Sequence, residues 1–150
     1  MASPPYDDSN IFAKILRGEI PCLKVFEDAH VLAFMDVMPQ ADGHVLVVPK
    51  SPSRNLLDAD PAALSALALR VQKIARAVKA ALGAEGLTIL QYNEPAGGQT
   101  VFHLHVHIVP RWSHVELRKH SGEMVKPETL IPIRDKIVAA LAAGAGEIEP

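Results

Sequence analysis

The chain has 150 residues, the size of a single domain, and 49% of them are hydrophobic while 21% are charged. This composition excludes a disordered chain, and no apolar run is long enough to cross a bilayer. The N-terminus lacks the basic and apolar segments of a signal peptide, and Cys22 is the only cysteine. A net charge of −2 argues against a nucleic-acid polymer as a partner. We therefore expect a cytoplasmic protein without membrane contact, an internal disulfide or a multi-cysteine zinc site.

The first fifty residues predict a lead-in, a short helix and three strands. Residues 1–8 are mostly polar and contain two prolines, so we expect a flexible lead-in. Ser9 is the expected cap of the short helix, and Gly18 is its expected end. The three strands are predicted at residues 23–27, 31–35 and 44–49.

The longest predicted helix follows the third strand. Asp60 is a suitable N-cap, Pro61 suits the first helical position, and Gly83 ends the helix. Between them, apolar side chains recur every three or four residues, at Leu64, Leu67, Val71, Ile74, Val78 and Leu82. Strands over residues 87–92 and 101–110 and a helix near 133–141 complete the pattern. This order predicts an α+β fold with a five-stranded, mainly antiparallel sheet.

Three of the seven histidines lie at alternate positions, 103, 105 and 107. Alternate side chains of a strand share one face, so we expect the three imidazoles to lie side by side. Three interpretations of this row are open. It can be a solvated strand face, a metal site, or an anion site in which one histidine is a nucleophile.

The metal interpretation meets a geometric difficulty. Along a strand the outer two histidines are about 13 Å apart, too far to share an ion with metal–nitrogen bonds of about 2.0–2.1 Å. A metal would need two of them with outside ligands such as Asp36 or His44. The turn over residues 97–100 favours the anion site, because it can aim backbone amides at one point. The residues therefore favour an anion site with a neutral, nucleophilic imidazole over the metal site and the solvated face.

The same residues match the pattern of the histidine triad (HIT) proteins, in which three histidines alternate with apolar residues and two apolar residues follow. Residues 103–109 fit that pattern throughout, and the chain resembles in particular the phosphoramidase (Hint) branch. Further matching blocks cover about residues 9–112 in the same order, at 11–15, 19–21, 26–28, 33–40, 44–50, 93–94, 97–100 and 102.

The resemblance implies a fold and an activity. The implied fold is a five-stranded antiparallel sheet with a long helix, and two subunits would form a homodimer with a ten-stranded sheet. The implied reaction hydrolyses a purine nucleoside 5′-phosphoramidate, or a related nucleotidyl anhydride or ester of AMP or GMP, to the nucleoside monophosphate without a cofactor. A dinucleoside polyphosphate hydrolase of the same family and a nucleotide-binding regulatory module are the alternatives.

The resemblance also assigns catalytic roles. His105 would be the nucleophile, held in the correct tautomer by a hydrogen bond from its other ring nitrogen to a backbone carbonyl. Thr100 would help to protonate the leaving amine, and His103 and His44 would support the row. The phosphate oxygens would be held by His107 and by a turn made of Gly98, Gln99 and Thr100.

Further residues would contact the nucleoside. The Asp36 carboxylate and the Val37 backbone match positions that hold the ribose hydroxyls, and Asn93 would touch the ribose or the phosphate. The apolar walls of the base pocket would be formed by Ile11, Phe12, Ile15 and Phe34.

The resemblance divides the chain into two parts. Residues 1–112 would form the HIT domain, and residues 113–150 would form a C-terminal extension packing on the same domain. Some bacterial members hold zinc with a pair of N-terminal cysteines, which this chain lacks, so we predict no metal. No role is expected for His30, His114 or His120.

Overall fold

The computed structural model describes residues 3–119 and 123–148, so His120 lies outside the described residues. These ranges contain three α-helices: α1 (Ile11–Leu16), α2 (Pro61–Leu82) and α3 (Pro127–Ala142). They also contain five strands: β1 (Lys24–Glu27), β2 (Val31–Met35), β3 (Val45–Pro49), β4 (Gly86–Leu90) and β5 (Val106–Arg111). Two short 3₁₀ turns, Leu56–Asp58 and Pro95–Gly97, lie in the connections.

The five strands form one antiparallel sheet in the order β1-β2-β3-β5-β4. β2 and β3 pair over their full length, from Val31 opposite Pro49 to Met35 opposite Val45. Both strands are buried at every position, as expected of strands covered on both faces. The predicted α+β fold with a five-stranded antiparallel sheet is confirmed.

Helix α2 covers one face of the sheet and begins and ends where the sequence predicts. The Asp60 side chain accepts the Ala63 N–H, and Gly83 ends the helix in the left-handed region at φ 61°. The buried members of the apolar stripe join the aliphatic side chains of the sheet in one core; they are Leu67, Ile74 and Val78.

Helix α3 packs beside α2 and against β1. It begins at Pro127 rather than near residue 133, and it adds Leu130 and Ile137 to the same core. The C-terminal segment is thus part of the packed structure that supports the sheet. In the described part of the chain, no helix has both the length and the apolar surface that a membrane span requires.

The cap of α1 differs from the prediction. Asn10, not Ser9, caps the helix, because Asn10 Oδ1 accepts the Ala13 N–H at 2.9 Å. The Ser9 hydroxyl donates instead to Asp7 Oδ1 at 2.6 Å. Ser9 and Asn10 are both chemically suitable caps, but the hydroxyl of Ser9 is bonded to Asp7, and Asn10 is the residue that caps the helix.

The start of β5 also differs from the prediction. The strand begins at Val106, whereas the sequence pattern predicts a strand from residue 101. The preceding residues bond to the loop after β3, where the Leu104 N–H donates to the Ser53 carbonyl at 2.9 Å. Of the three alternating histidines, only His107 therefore lies on a regular strand.

Candidate active site

The face of the sheet opposite α2 carries the histidines. His107 on β5 pairs with Leu46 on β3, which belongs to a second apolar cluster with Phe12 and Phe34. His105 precedes β5 by one residue, and its ring lies 5.0 Å from the ring of His107 and 4.8 Å from that of Phe12, between centroids. The predicted proximity of these two imidazoles is therefore found, although only one of them is on the strand.

The protonation of His105 follows from its backbone partner. Its Nδ1 lies 2.7 Å from the carbonyl oxygen of His103. A carbonyl only accepts hydrogen bonds, so Nδ1 must carry the proton and the lone pair of the neutral ring is on Nε2. The predicted hydrogen bond from His105 to a backbone carbonyl is present.

A second chain of hydrogen bonds determines the tautomer of His107. The Gln40 N–H donates to Nδ1 of His44 at 3.0 Å, so the proton of neutral His44 is on Nε2. That Nε2 lies 2.9 Å from Nδ1 of His107, which must accept. The proton of neutral His107 is therefore on its Nε2, where it can serve as a donor to a bound anion. His105 and His107 thus carry complementary chemistry, a lone pair on one ring and a proton on the other.

His103 is buried behind this pair. Its Nε2 donates to the Pro49 carbonyl at 2.8 Å, and its Nδ1 lies 2.7 Å from the Tyr6 hydroxyl. Burial lowers the pKa of His103, which keeps the ring neutral near pH 7. His103 reaches the site through its backbone carbonyl, which accepts from His105, as a supporting residue would.

Asp36 lies just after β2, and its carboxylate is buried beside His44. One oxygen accepts the Met38 N–H at 2.8 Å, and the other lies 3.4 Å from Nε2 of His44. The next residue, Val37, is tied to the C-terminal segment, because its carbonyl accepts the Val125 N–H at 2.8 Å. The end of β2 therefore brings the predicted ribose-binding residues to the site and holds the chain that leads to α3.

Asp36, His44 and His107 are the one group of described residues whose donor atoms could surround a metal ion, since these atoms lie within 4.8 Å of one another. The Gln40 N–H, however, occupies Nδ1 of His44 and leaves its proton on Nε2. Coordination through Nε2 would require that proton to leave and the ring to become an imidazolate, or the Gln40 bond to break. The geometry therefore favours a chain of hydrogen bonds over a metal centre.

Two cavities meet at Thr100, His105 and His107, which line both of them. The first, which we name the apolar cavity, has a volume of about 250 Å³. It is lined by the four predicted base-pocket residues and by both residues predicted to hold the ribose hydroxyls: Ile11, Phe12, Ile15, Phe34, Asp36 and Val37. The second, the polar cavity, has a volume of about 270 Å³, and its remaining lining residues are Gln40, Tyr92 and Gly98.

Sequence reasoning missed several residues of these cavities. Cys22, Leu46 and Met124 also line the apolar cavity, and Met124 comes from the C-terminal segment. Burial raises the pKa of the Cys22 thiol, so it acts as a small apolar wall there. Apolar character alone could not identify these three, because most apolar residues of the chain belong to the core.

Gly98 is required by the shape of the polar cavity. Its φ of 98° is in the region that favours glycine, and a Cβ at this position would lie 3.1 Å from Cδ1 of Tyr92. The Tyr92 ring in turn contacts His107 edge to face, with 5.6 Å between the ring centroids. Gly98 and Thr100 of this turn line the polar cavity together with His105 and His107. The backbone N–H groups of Gly97, Gly98 and Gln99, however, donate to the Glu94 and Pro95 carbonyls, so the expectation that the turn aims these amides at an anion is wrong.

Gln99 and Asn93 have different surroundings from those predicted. The buried Gln99 side chain accepts from the Glu94 N–H and from Asn55, and it donates to the Arg54 and Val101 carbonyls. All its hydrogen-bonding capacity anchors the turn, so its side chain has none left for a nucleotide. Asn93 is not among the cavity-lining residues, because its amide bonds to Gln91 and to the Leu56 N–H.

The turn is anchored further by an ion pair that the sequence did not suggest. The Arg54 guanidinium binds both carboxylate oxygens of Glu94, at 2.8 and 3.0 Å, and lies 4.1 Å from the centre of the Phe102 ring. Asn55 donates to the same carboxylate at 2.6 Å. Hydrogen bonds from Arg54 and Asn55 hold the pKa of Glu94 below its usual range. Partners forty residues apart left no local signal by which sequence reasoning could have found them.

Comparisons with known proteins agree with this architecture. The family model described as HIT domain matches residues 17–114. The chain is 38% identical over 122 residues to the Adenylylsulfatase HINT3 of Arabidopsis thaliana, covering 77% of this chain and 62% of that relative, so it spans less than two thirds of the relative's length. It is 39% identical over 137 residues to the Protein hit of Bacillus subtilis (strain 168), covering 89% of this chain and 94% of that one.

A solved structure gives the same result. The crystal structure of a Hit-like protein involved in cell-cycle regulation from Bartonella henselae, with an unknown ligand, superposes with a TM-score of 0.85. The two chains are 53% identical, and the match covers 90% of this chain and 98% of the other. The alternating histidines, the sheet that carries them and these matches lead to one conclusion: the chain belongs to the HIT domain family.

Proposed function

We propose that this protein hydrolyses purine nucleoside 5′-phosphoramidates, or related nucleotidyl anhydrides and esters, to the nucleoside monophosphate. The observation that carries the proposal is the surroundings of His105, whose Nδ1 is bonded to a backbone carbonyl at the point where the two cavities meet. A nucleoside in the apolar cavity would bring its phosphate to His105, His107 and Thr100. The leaving group would then extend toward the polar cavity.

In the first half-reaction, the lone pair on Nε2 of His105 attacks phosphorus. A bond from phosphorus to that nitrogen forms while the bond to the leaving amine breaks, and the amine takes a proton relayed from solvent by the Thr100 hydroxyl. The Nε2–H of His107 donates to a phosphate oxygen and stabilises the negative charge that develops there. The His103 carbonyl stabilises the positive charge on the substituted His105 ring.

In the second half-reaction, water attacks phosphorus and the electron pair of the phosphorus–nitrogen bond returns to His105. The products are the nucleoside monophosphate, a proton and the original neutral ring. Because the neutral imidazole of His105 is a good leaving group from phosphorus when its Nδ1 keeps a proton, two easier displacements replace one difficult hydrolysis.

The nucleoside would be selected by the apolar cavity. Buried Asp36 would accept hydrogen bonds from the ribose hydroxyls, which selects ribonucleotides. The flat purine would pack between the aliphatic walls from α1 and Phe34, and the exposed side chain of Met124 would cover its outer edge. The C-terminal segment would thereby contribute to base recognition.

Steady-state kinetics on three substrate types tests the proposed reaction. The three substrate types are adenosine 5′-phosphoramidate, adenylyl sulfate and diadenosine polyphosphates. We expect the highest kcat/KM on adenosine 5′-phosphoramidate. Adenylyl sulfate is included because a relative is named an adenylylsulfatase. A clearly higher kcat/KM on a polyphosphate would replace the proposal with the alternative hydrolase of the same family.

His105→Asn separates an enzyme from a nucleotide-binding module. The variant retains an N–H donor near the position of Nδ1 but lacks the nucleophilic Nε2, so we expect kcat to fall on the order of 10⁴-fold or more. Purine monophosphate affinity, measured by calorimetry, should change far less. If wild-type turnover on every substrate equals that of the variant, the protein is a binding module.

We also propose that two chains form a dimer and that residues 1–112 and 113–150 form one domain. β4 is an edge strand of the sheet, with Ile89 exposed, so a second copy could continue the sheet to ten strands. Burial of Leu130 and Ile137 in the common core supports the single domain. Light scattering should give the mass of two chains.

A further inference from the structure

The N-terminal lead-in contacts the site through Tyr6. The Tyr6 hydroxyl lies 2.7 Å from Nδ1 of His103, and the two rings meet edge to face with 5.6 Å between their centroids. The prediction of a flexible lead-in over residues 1–8 does not account for these contacts; Met1 and Ala2 lie outside the described residues. The match to the HIT domain begins at residue 17, so Tyr6 lies outside the part of the chain that this match covers.

The direction of the Tyr6 hydrogen bond is determined by its neighbours. Nε2 of His103 donates to the Pro49 carbonyl, so its Nδ1 has no proton and must accept. Asn10 Nδ2 donates to the Tyr6 oxygen at 3.1 Å, which leaves the hydroxyl proton to point at His103. The His103 ring is thus held between two partners of opposite kind, a hydroxyl donor and a carbonyl acceptor.

We propose that Tyr6 is a positioning residue for the reaction at His105. It holds the His103 ring in one orientation and one tautomer, and the backbone carbonyl of that same residue accepts the Nδ1–H of His105 at 2.7 Å. This inference rests on the proposed function, because it concerns the nucleophile of that reaction.

The alternative arrangements of His103 show why the hydroxyl is needed. The ring is 1% exposed, so without Tyr6 its Nδ1 would be a buried acceptor with no hydroxyl partner. Protonation of Nδ1 is opposed by burial, which lowers the pKa of His103. A 180° flip of the ring would place Cε1 in place of Nε2 at the Pro49 carbonyl and Cδ2 in place of Nδ1, so the ring would lose its hydrogen bond to that carbonyl. Each of these changes would disturb His103, whose backbone carbonyl orients the His105 ring.

α1 reinforces the same arrangement. Asn10, which bonds to Tyr6, is also the cap of α1, and Phe12 on that helix contacts the His105 ring. The lead-in, the helix cap and two histidines therefore form one connected set of contacts.

Tyr6→Phe removes the hydroxyl and keeps the ring contact with His103. We expect kcat on adenosine 5′-phosphoramidate to fall about 3- to 10-fold, the range for one lost hydrogen bond, with KM changed by less than about twofold. Ser9→Ala is the matched control, because it removes a hydroxyl next to the lead-in that bonds to Asp7 and not to His103. The control should retain wild-type kcat.

NMR of the imidazole nitrogens supplies a readout that a general loss of stability would not move. In Tyr6→Phe, the Nδ1 signal of His103 should shift toward that of a nitrogen accepting no hydrogen bond, while Ser9→Ala leaves it unchanged. Unchanged His103 signals, or kcat within about twofold of wild type, would overturn the inference. An inactive wild type would instead show that the proposed function has failed, and the inference with it.

Discussion

On the face of the sheet covered by α2 and α3, the buried side chains are aliphatic, whereas the opposite face carries buried imidazoles and a carboxylate. On β3 the two environments alternate, since Val45 and Val47 join the helical core and Leu46 packs with Phe12 and Phe34. The aliphatic face is stabilised by non-directional burial. Non-directional burial cannot stabilise the histidine face, because each buried polar atom there needs a hydrogen-bond partner.

The difference explains why the histidine face can do chemistry. Its hydrogen bonds end on backbone groups whose donor or acceptor character cannot change, namely the Gln40 N–H and the carbonyls of His103 and Pro49. Each imidazole is therefore held in one tautomer before a substrate arrives. The helical face supplies the stability that this arrangement requires.

Ile74→Ala tests the stabilising role of the helical face and has the largest expected effect on stability. Ile74 is fully buried between α2 and the sheet, so its truncation should lower the free energy of unfolding by about 2–5 kcal/mol. The kcat of the folded enzyme should not change. Thermal and urea unfolding give the first quantity. Leu69→Ala, on the exposed side of α2, is the control and should cost less than about 0.5 kcal/mol.

A smaller effect is expected from Gly98→Ala on the histidine face. The left-handed conformation and the approach of Tyr92 should lower stability by about 1–2 kcal/mol and kcat by about tenfold. Gly97→Ala is the matched comparison, since a Cβ there meets no atom within 4 Å. Equal losses of stability in the two variants would show that neither the left-handed conformation nor the approach of Tyr92 requires glycine at position 98.

The smallest effect concerns pH. Burial lowers the pKa of His103 below its value of 6.5 in the unfolded chain, so the unfolded state binds more protons as pH falls through 6.5. Stability should therefore decrease below pH 6.5 until the folded-state pKa is reached, with a slope from this residue of at most about 1.4 kcal/mol per pH unit. In His103→Gln the dependence of unfolding free energy on pH should be shallower. Identical slopes in wild type and variant would assign the acid sensitivity to other groups.

The sequence predicts much of this molecule where local patterns determine the structure. The predicted start and end of α2 are correct because Asp60 and Pro61 act on the first turn of the helix and Gly83 acts on its last turn. Alternation placed His105 and His107 together, even though the regular strand begins only at Val106.

The remaining features depend on contacts between distant parts of the chain. Tyr6 and His103 are 97 positions apart, and Arg54 and Glu94 are 40 apart, so no local pattern could pair them. The neighbours of Gln99 in the sequence predict that it lies in the turn. They do not reveal that its side chain anchors the turn instead of binding substrate, because its partners Arg54 and Asn55 are distant in the sequence. Tertiary packing, not propensity, decides which polar groups meet.

The central claim is that the lone pair on Nε2 of His105 takes the nucleotidyl group from the substrate. Mass spectrometry of enzyme quenched in alkali during turnover tests it directly, with adenosine 5′-phosphoramidate as substrate. The account predicts a peptide heavier by one adenylyl group, with the group on His105. Absence of any such adduct, together with undiminished turnover in His105→Asn, would contradict it.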